Sequence, residues 1–252
     1  MPMMRVFLCL CVLLFSYPAH AGTFSWLSDT RWVTVAKVYD GDTFQTRQGE
    51  KIRFLNINTP EIQHRDSQAE IGGNIAKKAL TALLLGKQVR LRFDKEKKDR
   101  YGRTLAQVWM RDGLWVNAWL LNQGYAHLYN FEPNTRWAKK LAKEDRKARQ
   151  QGIGIWKTAR FRVIQATKVS HKNIGQYRVI KGAVKEVIGH KHWRFRMGKV
   201  QVSIPKAYRQ YFRHAPDVNQ GLRVMVRGRI RISRKGQLFL SLHSPYDLEV
   251  LR

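Results

Sequence analysis

The stretch KIRFLNINTPE, residues 51–61, reads as an apolar strand that ends in a turn closed by a proline. It places Arg53 and Glu61 eight positions apart, with Asn58 between them. Each feature alone is ordinary, because an arginine on a strand is usually solvated and a Thr-Pro-Glu run often starts a helix. The stretch therefore gains meaning only from the polar clusters that neighbouring strands bring beside it.

Two such clusters stand between other predicted strands. DGDT, residues 40–43, is a tight turn that holds two carboxylates with little side-chain bulk between them. DRYGR, residues 99–103, lies between the alternating run QVRLRF and the strand-like LAQVWM. The pattern predicts that acidic and basic side chains collect at several strand ends of one small sheet.

The first half of the chain combines short strands with three helical stretches. The predicted helices are NIAKKALTALLL, LWVNAWLLNQ and NTRWAKKLAKEDRKARQQ, and each is followed by a glycine stop. Five short strands with helices inserted predict a small barrel and argue against a parallel α/β sheet. We therefore expect a mainly β fold with helices (α+β) over residues 22–162.

The second half, residues 163–252, is predicted to be a second small β-barrel domain. Its clearest strand is LRVMVRGRIRI, residues 222–232, with an apolar face and an arginine face in strict alternation. An arginine row is commonly just a solvated face, but four arginines without an interleaved acid favour a surface that follows phosphates. The arginines predicted to bind substrate are Arg227, Arg229 and Arg231.

The charge balance points to a polyanionic partner. The chain has 47 Lys and Arg against 18 Asp and Glu, a formal charge of +29 and a pI near 10.7. Solubility needs only a modest net charge, so nucleic acid is the favoured partner and an anionic membrane surface the weaker one. Both halves share the excess, with 27 basic and 14 acidic residues over 22–162 and 19 and 4 over 163–252.

Residues 1–21 are predicted to be a signal peptide. One arginine precedes the short apolar run VFLCLCVLLF, and AHA before Gly22 is a small-x-small cleavage signal. The apolar run is too short to span a bilayer comfortably, so no stable membrane insertion is expected. Cleavage would remove Cys9 and Cys11 and leave a periplasmic or extracellular protein without thiols. No protein partner is indicated, and we expect a monomer.

Taken together, DGDTF, RFLNINTPE and DRYGRTLAQVW resemble the staphylococcal nuclease or thermonuclease family in order and spacing. The resemblance runs from about Val33 to Trp156 and includes GYAHLY, EPN and the terminal GIGIW. Three positions depart from the family pattern: Phe44 replaces a smaller aliphatic residue, Asn58 replaces an aspartate, and Phe131 replaces a tyrosine. The resemblance implies a five-stranded OB-type barrel that cleaves DNA and RNA with Ca²⁺ and little sequence specificity. Residues 163–252 resemble a basic OB-like domain that binds nucleic acid.

The resemblance also implies roles for particular residues. Arg53 and Arg103 correspond to the phosphate-binding arginines, and Glu61 to the general base. Asp42, Asn58 and Thr59 correspond to the metal ligands, with Asp40 beside them. Tyr101, Tyr129 and Phe131 fall at or near positions that contact the substrate.

The chemistry agrees with these roles on physical grounds. Hydrolysis of a phosphodiester adds negative charge in the transition state, and arginine can donate two hydrogen bonds to it in fixed geometry. A carboxylate within reach of a water can take its proton, and a hard cation on oxygen ligands neutralises further charge.

Asn58 leaves two interpretations open. An amide oxygen is a normal Ca²⁺ ligand, so the enzyme can remain active with a weaker, millimolar calcium requirement. Alternatively, the loss of one carboxylate leaves a catalytically impaired nucleic-acid-binding protein. A structural or membrane-surface cationic protein is a third class, which explains the charge but none of the three clusters.

Overall fold

The computed structural model describes residues 30–62, 70–189 and 192–251. The predicted signal peptide lies outside these residues. In the first half, the strands are β1 (Thr30–Val38), β2 (Thr43–Thr46), β3 (Lys51–Phe54), β4 (Ile57–Asn58), β5 (Gln88–Arg92), β6 (Thr104–Met110) and β7 (His127–Leu128). The helices are α1 (Gly73–Leu84), α2 (Val116–Asn122) and α3 (Ala138–Gln151).

Five of these strands close into the predicted barrel, in the order β1-β2-β3-β6-β5. Closure is possible because β1 pairs with β2 at one end and β5 at the other, with a register shift between Val35 and Lys37. The alternation in β5 works as expected, since Val89 and Leu91 are fully buried while Arg90 and Arg92 are not. The fold class predicted from the sequence, mainly β with helices, is confirmed.

All three predicted helices are present, and the start of α3 is shifted most. Helix α3 ends at Gly152, which adopts the left-handed conformation expected of a glycine C-cap. It begins at Ala138 rather than 134, because Asn134 is used in a turn. The buried amide of Asn134 accepts a hydrogen bond from the backbone nitrogen of Glu96 and donates one to its carbonyl oxygen.

The second half forms another closed barrel. Its strands are β8 (Ile164–Gln165), β9 (Tyr177–Val187), β10 (Arg194–Met197), β11 (Val200–Ser203), β12 (Arg223–Ile232), β13 (Leu238–Ser241) and β14 (Leu248–Val250). The ring runs β9-β10-β11-β13-β12 and closes through the β12–β9 pairing. In this ring β11 and β13 pair in parallel, as β3 and β6 do in the first barrel. The two barrels therefore share one strand order. A 3-10 helix, Lys206–Tyr211, follows β11.

A third apolar cluster joins the two barrels. Trp156 and Phe161 from the first half pack there with Val179 and Met225 from the second. At its edge the Nη1 atom of Arg227 lies 3.0 Å from the Oδ2 atom of Asp145, which α3 carries. The barrels thus share a buried boundary containing both apolar contacts and an ion pair.

This boundary corrects one predicted site residue. Arg227 was expected to offer its guanidinium to phosphates, but it is 4% exposed and bound to Asp145. The apolar face of β12 is buried from Val224 to Ile230, whereas Ile232, predicted on the same face, is 43% exposed. The outer face at Met225 and Arg227 is covered by the first barrel. Arg229 and Arg231 remain exposed. Among the described residues, no helix is long and apolar enough to cross a membrane.

Candidate active site

The barrel brings the three polar clusters to adjacent strand ends. Arg53 on β3 pairs with Thr43, the residue after Asp42, and on its other side with Leu105. Arg103 stands two residues before Leu105, at the position just before β6 begins. The register therefore places Arg53 beside the strand that Arg103 immediately precedes.

Arg53 is buried and holds the centre of the site. Its Nη2 atom donates to the amide oxygen of Asn58 at 2.8 Å and lies 3.1 Å from the Oδ2 atom of Asp42. Its Nη1 atom donates to the carbonyl oxygen of Phe54 at 2.6 Å. The guanidinium is therefore fixed between the predicted metal ligands before any substrate binds.

Asp42 connects the DGDT turn to the second cluster. Its Oδ2 atom accepts hydrogen bonds from the backbone nitrogen of Thr59 at 2.8 Å and from its hydroxyl at 3.2 Å. Asp40 binds the backbone nitrogen of Asp42 at 2.9 Å. Burial, and then the nearby charge of Asp42, raise the pKa of Asp40 to about 6. Two carboxyl groups thus lie close together in a site with little solvent.

Gly41 makes this closeness possible. A Cβ atom there would lie 2.6 Å from the Cβ of Ala76 on α1 and 2.7 Å from the Cγ2 of Thr59. Only a glycine lets the turn fit between the helix and Thr59. The glycine between Asp40 and Asp42 is therefore required by the packing of the turn against Ala76 and Thr59.

Arg103 is held by the acid of its own cluster. Its Nε atom donates to the Oδ2 atom of Asp99 at 2.8 Å, and its backbone nitrogen donates to Oδ1 at 3.0 Å. Burial acts to raise the pKa of Asp99, but the hydrogen bonds from Arg103 outweigh it and lower that pKa. The carboxylate therefore stays charged and orients the guanidinium, whose terminal nitrogens make no hydrogen bond within the described part of the chain.

Glu61 lies on the surface three residues after Asn58. Its backbone is fixed at both ends, since its nitrogen donates to the carboxylate of Glu70 at 3.2 Å and its carbonyl accepts from the Glu70 nitrogen at 2.9 Å. Gly73, at the start of α1, packs so tightly here that a Cβ would lie 2.6 Å from the Glu61 carbonyl oxygen. Gly73 and Glu70 are supports for Glu61 that the sequence did not reveal.

The three aromatic residues predicted to contact substrate lie in two places, Tyr101 beside Arg103 and Tyr129 against Phe131. Tyr101 is 68% exposed and lies beside the Arg103 guanidinium, 5.6 Å from its carbon. Tyr129 packs edge-on against Phe131, with ring centroids 4.6 Å apart. The backbone nitrogen of Tyr129 donates to the carbonyl of Asn56, so this pair is attached to the turn that carries Asn58. Phe131 is 48% exposed.

A buried amide network, which the sequence pattern did not predict, supports that turn. Asn56 has a positive φ of 62°, which its side chain compensates by donating to the carbonyl of Asn134 at 2.6 Å. Gln107 donates to the Asn56 amide oxygen at 2.9 Å, and Asn117 donates to the carbonyl of Leu55. Single amides in apolar strands and helices were the available signal, because buried polar groups need partners.

The donor atoms fit a hard divalent cation of the kind the resemblance implies. They are the carboxylate of Asp42, the amide oxygen of Asn58 and the carbonyl of Thr59, all oxygens. Within the described ranges there is no group of three or more His, Cys, Asp or Glu placed to hold a metal. The amide nitrogen of Asn58 donates to the Thr59 carbonyl at 2.9 Å, so this oxygen already has a partner. These oxygens suit a cation, but only the Asp42 side chain among them carries a negative charge.

Comparisons with known proteins agree with this geometry. A family model described as Staphylococcal nuclease homologue matches residues 51–158. The thermonuclease of Staphylococcus intermedius is 32% identical over 151 residues, which cover 58% of this chain and 89% of that protein. An uncharacterized endonuclease of Escherichia coli O157:H7 is 30% identical over 159 residues, 62% of this chain and 92% of that protein.

A third relative shares a smaller part of its length with this chain. The SPbeta prophage-derived endonuclease YokF of Bacillus subtilis (strain 168) is 36% identical over 129 residues, which cover 49% of this chain and 43% of that protein. The family model match includes β3, which carries Arg53, and β6, which begins just after Arg103. The chain therefore belongs to the staphylococcal nuclease family.

Proposed function

We propose that this protein is an exported, Ca²⁺-dependent nuclease that hydrolyses phosphodiester bonds of DNA and RNA with little sequence specificity. Membership of the family supports the general activity, hydrolysis of a phosphodiester bond. One observation supports the proposal for this chain: Arg53 on β3 pairs with Leu105, two residues after Arg103, while Asp42 and Asn58 are bound to Arg53. A site of this kind matches an anionic substrate that gains charge during reaction.

In this proposal the two arginines bind the scissile phosphate from different starting states. Arg103 has its terminal nitrogens available, with Asp99 holding only the Nε side. Arg53 has two of its nitrogens engaged, so the phosphate competes with Asn58 and Phe54 for donors or uses the remaining ones. Both guanidinium groups are oriented by existing bonds, and this reduces the entropy lost on binding.

Glu61 is proposed as the general base. It is exposed, so a water can reach it, and its backbone is fixed by Glu70 and Gly73. A carboxylate in such a position takes a proton from the attacking water, while the arginines stabilise the charge that develops on the phosphate.

Asp42, Asn58 and Thr59 are proposed to hold Ca²⁺, with Asp40 adjacent. A bound calcium ion supplies positive charge near the phosphate and makes a nearby water a better nucleophile. Asn58 contributes an oxygen without a charge, and calcium affinity depends on ligand charge. The expected consequence is a weak site that millimolar calcium fills.

The alternative is a nucleic-acid-binding protein that has lost catalysis through Asn58. The observation that favours it is the bond from Arg53 to the Asn58 amide, which ties up both groups. Cleavage measured against calcium concentration, with Asn58→Asp beside the unaltered chain, separates the two. Activity in the unaltered chain at millimolar calcium, with a lower half-saturating concentration in Asn58→Asp, supports the enzyme. Cleavage by the variant alone supports the alternative.

The remaining parts of the proposal concern the whole chain. Residues 1–21 direct export to the periplasm or beyond, residues 22–162 carry the nuclease, and residues 163–252 form a second domain that increases affinity for long substrates. The protein acts as a monomer. N-terminal sequencing of the secreted protein tests the first point: a chain that starts at Gly22 supports it, and one that retains residues 1–21 contradicts it.

A further inference from the structure

An aromatic contact continues from the candidate site onto the second barrel. Tyr177, the first residue of β9, packs against Tyr129 with ring centroids 5.0 Å apart and stacks on His127 at 4.8 Å. Tyr177 is also the cross-strand partner of Arg229 on β12. Arg229 therefore lies one strand away from the ring that contacts Tyr129.

Two exposed arginines extend this surface along β12. Arg229 and Arg231 alternate on the outer face, beyond the part that the first barrel covers. Arg229 donates a hydrogen bond to the carbonyl of Gly175. In the part of the chain that the structure describes, neither guanidinium forms an ion pair with a carboxylate. Unpaired, exposed arginines on one strand are suited to phosphates.

Beyond the arginines lies a stacked pair of rings. Tyr208 and His243 face each other with centroids 4.1 Å apart and an interplanar angle of 14°. Burial lowers the pKa of His243, and the charge of Arg231 lowers it further, so Arg231 is close to this pair. The six side chains of this region, which we name the bridging surface, are Tyr129, Phe131, Arg229, Arg231, Tyr208 and His243.

Two carboxyl groups also lie near the bridging surface. Asp247 is buried and accepts hydrogen bonds from the backbone nitrogens of His243 at 2.9 Å and Ser244 at 3.0 Å. Glu132 is half-buried and accepts from the hydroxyl of Thr135 at 3.4 Å. Burial raises the pKa of both. The arginines, by contrast, are on the outside, so the accessible face is cationic.

The bridging surface is also preorganised. The ion pair between Asp145 and Arg227 and the shared apolar cluster fix the second barrel against the first. A ligand that touches both barrels therefore pays little to order them.

We infer that the bridging surface binds single-stranded nucleic acid and leads the strand from the second barrel into the candidate site. Its components are those of a single-strand platform: arginines for the backbone and accessible rings such as Phe131 for unpaired bases. Duplex bases are stacked on each other and cannot use these rings. This inference rests on the proposed function for the direction of the path, but not for the binding itself.

Fluorescence anisotropy in chelator tests the binding without cleavage. The ligands are a labelled 16-nucleotide oligo-dT and a 16-base-pair duplex, with the full chain at about 0.1 M salt. Arg229→Gln combined with Arg231→Gln should weaken single-strand binding by about tenfold and make the log–log salt slope shallower by about 1.4, or 0.7 per lost contact. Phe131→Leu should weaken it by up to about tenfold with the salt slope unchanged.

The matched control is Arg194→Gln combined with Arg196→Gln. It removes the same charge from β10, which does not pair with β12 and lies across the ring. We expect less than a twofold change. Equal losses in the control and the test variant, equal losses for duplex and single strand, or no loss at all would each overturn the inference.

The proposed function is judged by a different readout. Cleavage by the unaltered chain in calcium tests the catalytic site, whereas the affinities above are measured without cleavage. A chain that cleaves but whose bridging-surface variants bind normally contradicts only the inference. A chain that binds as expected but never cleaves contradicts only the proposed function.

Discussion

Replacing Asp145 by asparagine removes the charge on which the boundary between the barrels depends. Asp145 is fully buried on α3, where it accepts from the backbone nitrogen of Leu128 at 2.9 Å and pairs with Arg227 at 3.0 Å. Burial acts to raise the pKa of Asp145, but Arg227 and then Arg149 outweigh it and keep that pKa below its usual value. In the variant, buried Arg227 loses its closest counter-charge.

The expected cost follows from this geometry. Breaking a buried pair by removing one partner costs about 3–5 kcal/mol, because the remaining charge stays buried without compensation. Arg149 is 3.7 Å from Asp145 but also binds Glu249 at 2.9 Å, so it retains a partner. The loss should therefore fall mainly on Arg227, and we expect about 3 kcal/mol in the free energy of unfolding.

Urea denaturation of a double-mutant cycle measures this. Asp145→Asn and Arg227→Met should each destabilise the chain by about 3 kcal/mol, and the double variant should cost at least about 2 kcal/mol less than their sum. Arg196→Met, which removes one arginine of an exposed pair with Glu186, is the control and should cost less than about 1 kcal/mol. Additive losses, or single losses below about 1 kcal/mol, would show that the pair does not hold the boundary.

Three further changes have distinct readouts. Gly73→Ala should displace Glu61 and slow cleavage by about tenfold or more, because the added carbon lies 2.6 Å from the Glu61 carbonyl oxygen. The control Gly113→Ala meets no atom within 4 Å but is strained by its φ of 92°, so it should lower stability and leave the cleavage rate of the folded protein unchanged. Equal cleavage rates for the two variants would refute the positioning. His127→Gln should reduce the loss of stability in acid. Burial lowers the pKa of His127 to about 4, so the stability that the neutral ring contributes is present above pH 6.5 and is lost as the pH falls toward 4. In urea denaturation, the free energy of unfolding of the unaltered chain should fall by about 2 kcal/mol more than that of the variant between pH 7 and 4.5. Arg103→Lys should cut kcat by about 100-fold in a steady-state assay, since lysine lacks the two-pronged donor geometry, and a loss below threefold would argue against a role in the transition state.

The barrel and the convergence of its polar clusters were accessible from the sequence. Alternation in residues 222–232 predicted which side of β12 enters the core, and Val224, Val226 and Ile230 are buried as expected. The same parity could not predict what covers the outer face. Arg227 is buried because α3 supplies Asp145, and in the sequence that residue is one acid in a highly charged helix that reads as solvent-exposed.

The residues that position the site could not be predicted from the sequence pattern either. Gly41 and Gly73 matter because of atoms from distant segments that approach within 3 Å, and sequence spacing does not encode such approaches. Asn56 needs a left-handed backbone and partners at Gln107 and Asn134, 51 and 78 residues away. Local propensity predicts strands and caps, whereas these contacts exist only after the barrel has closed.

The central claim is that two arginines and one acid act on a phosphate beside a bound calcium ion. The most direct measurement is the cleavage rate of plasmid DNA and of RNA by the full chain, at millimolar calcium and in excess chelator, with Glu61→Gln in parallel. We expect cleavage of both substrates in calcium, none in chelator, and a rate at least about 100-fold lower for Glu61→Gln. Undiminished cleavage in chelator, or an unchanged rate for Glu61→Gln, would contradict it.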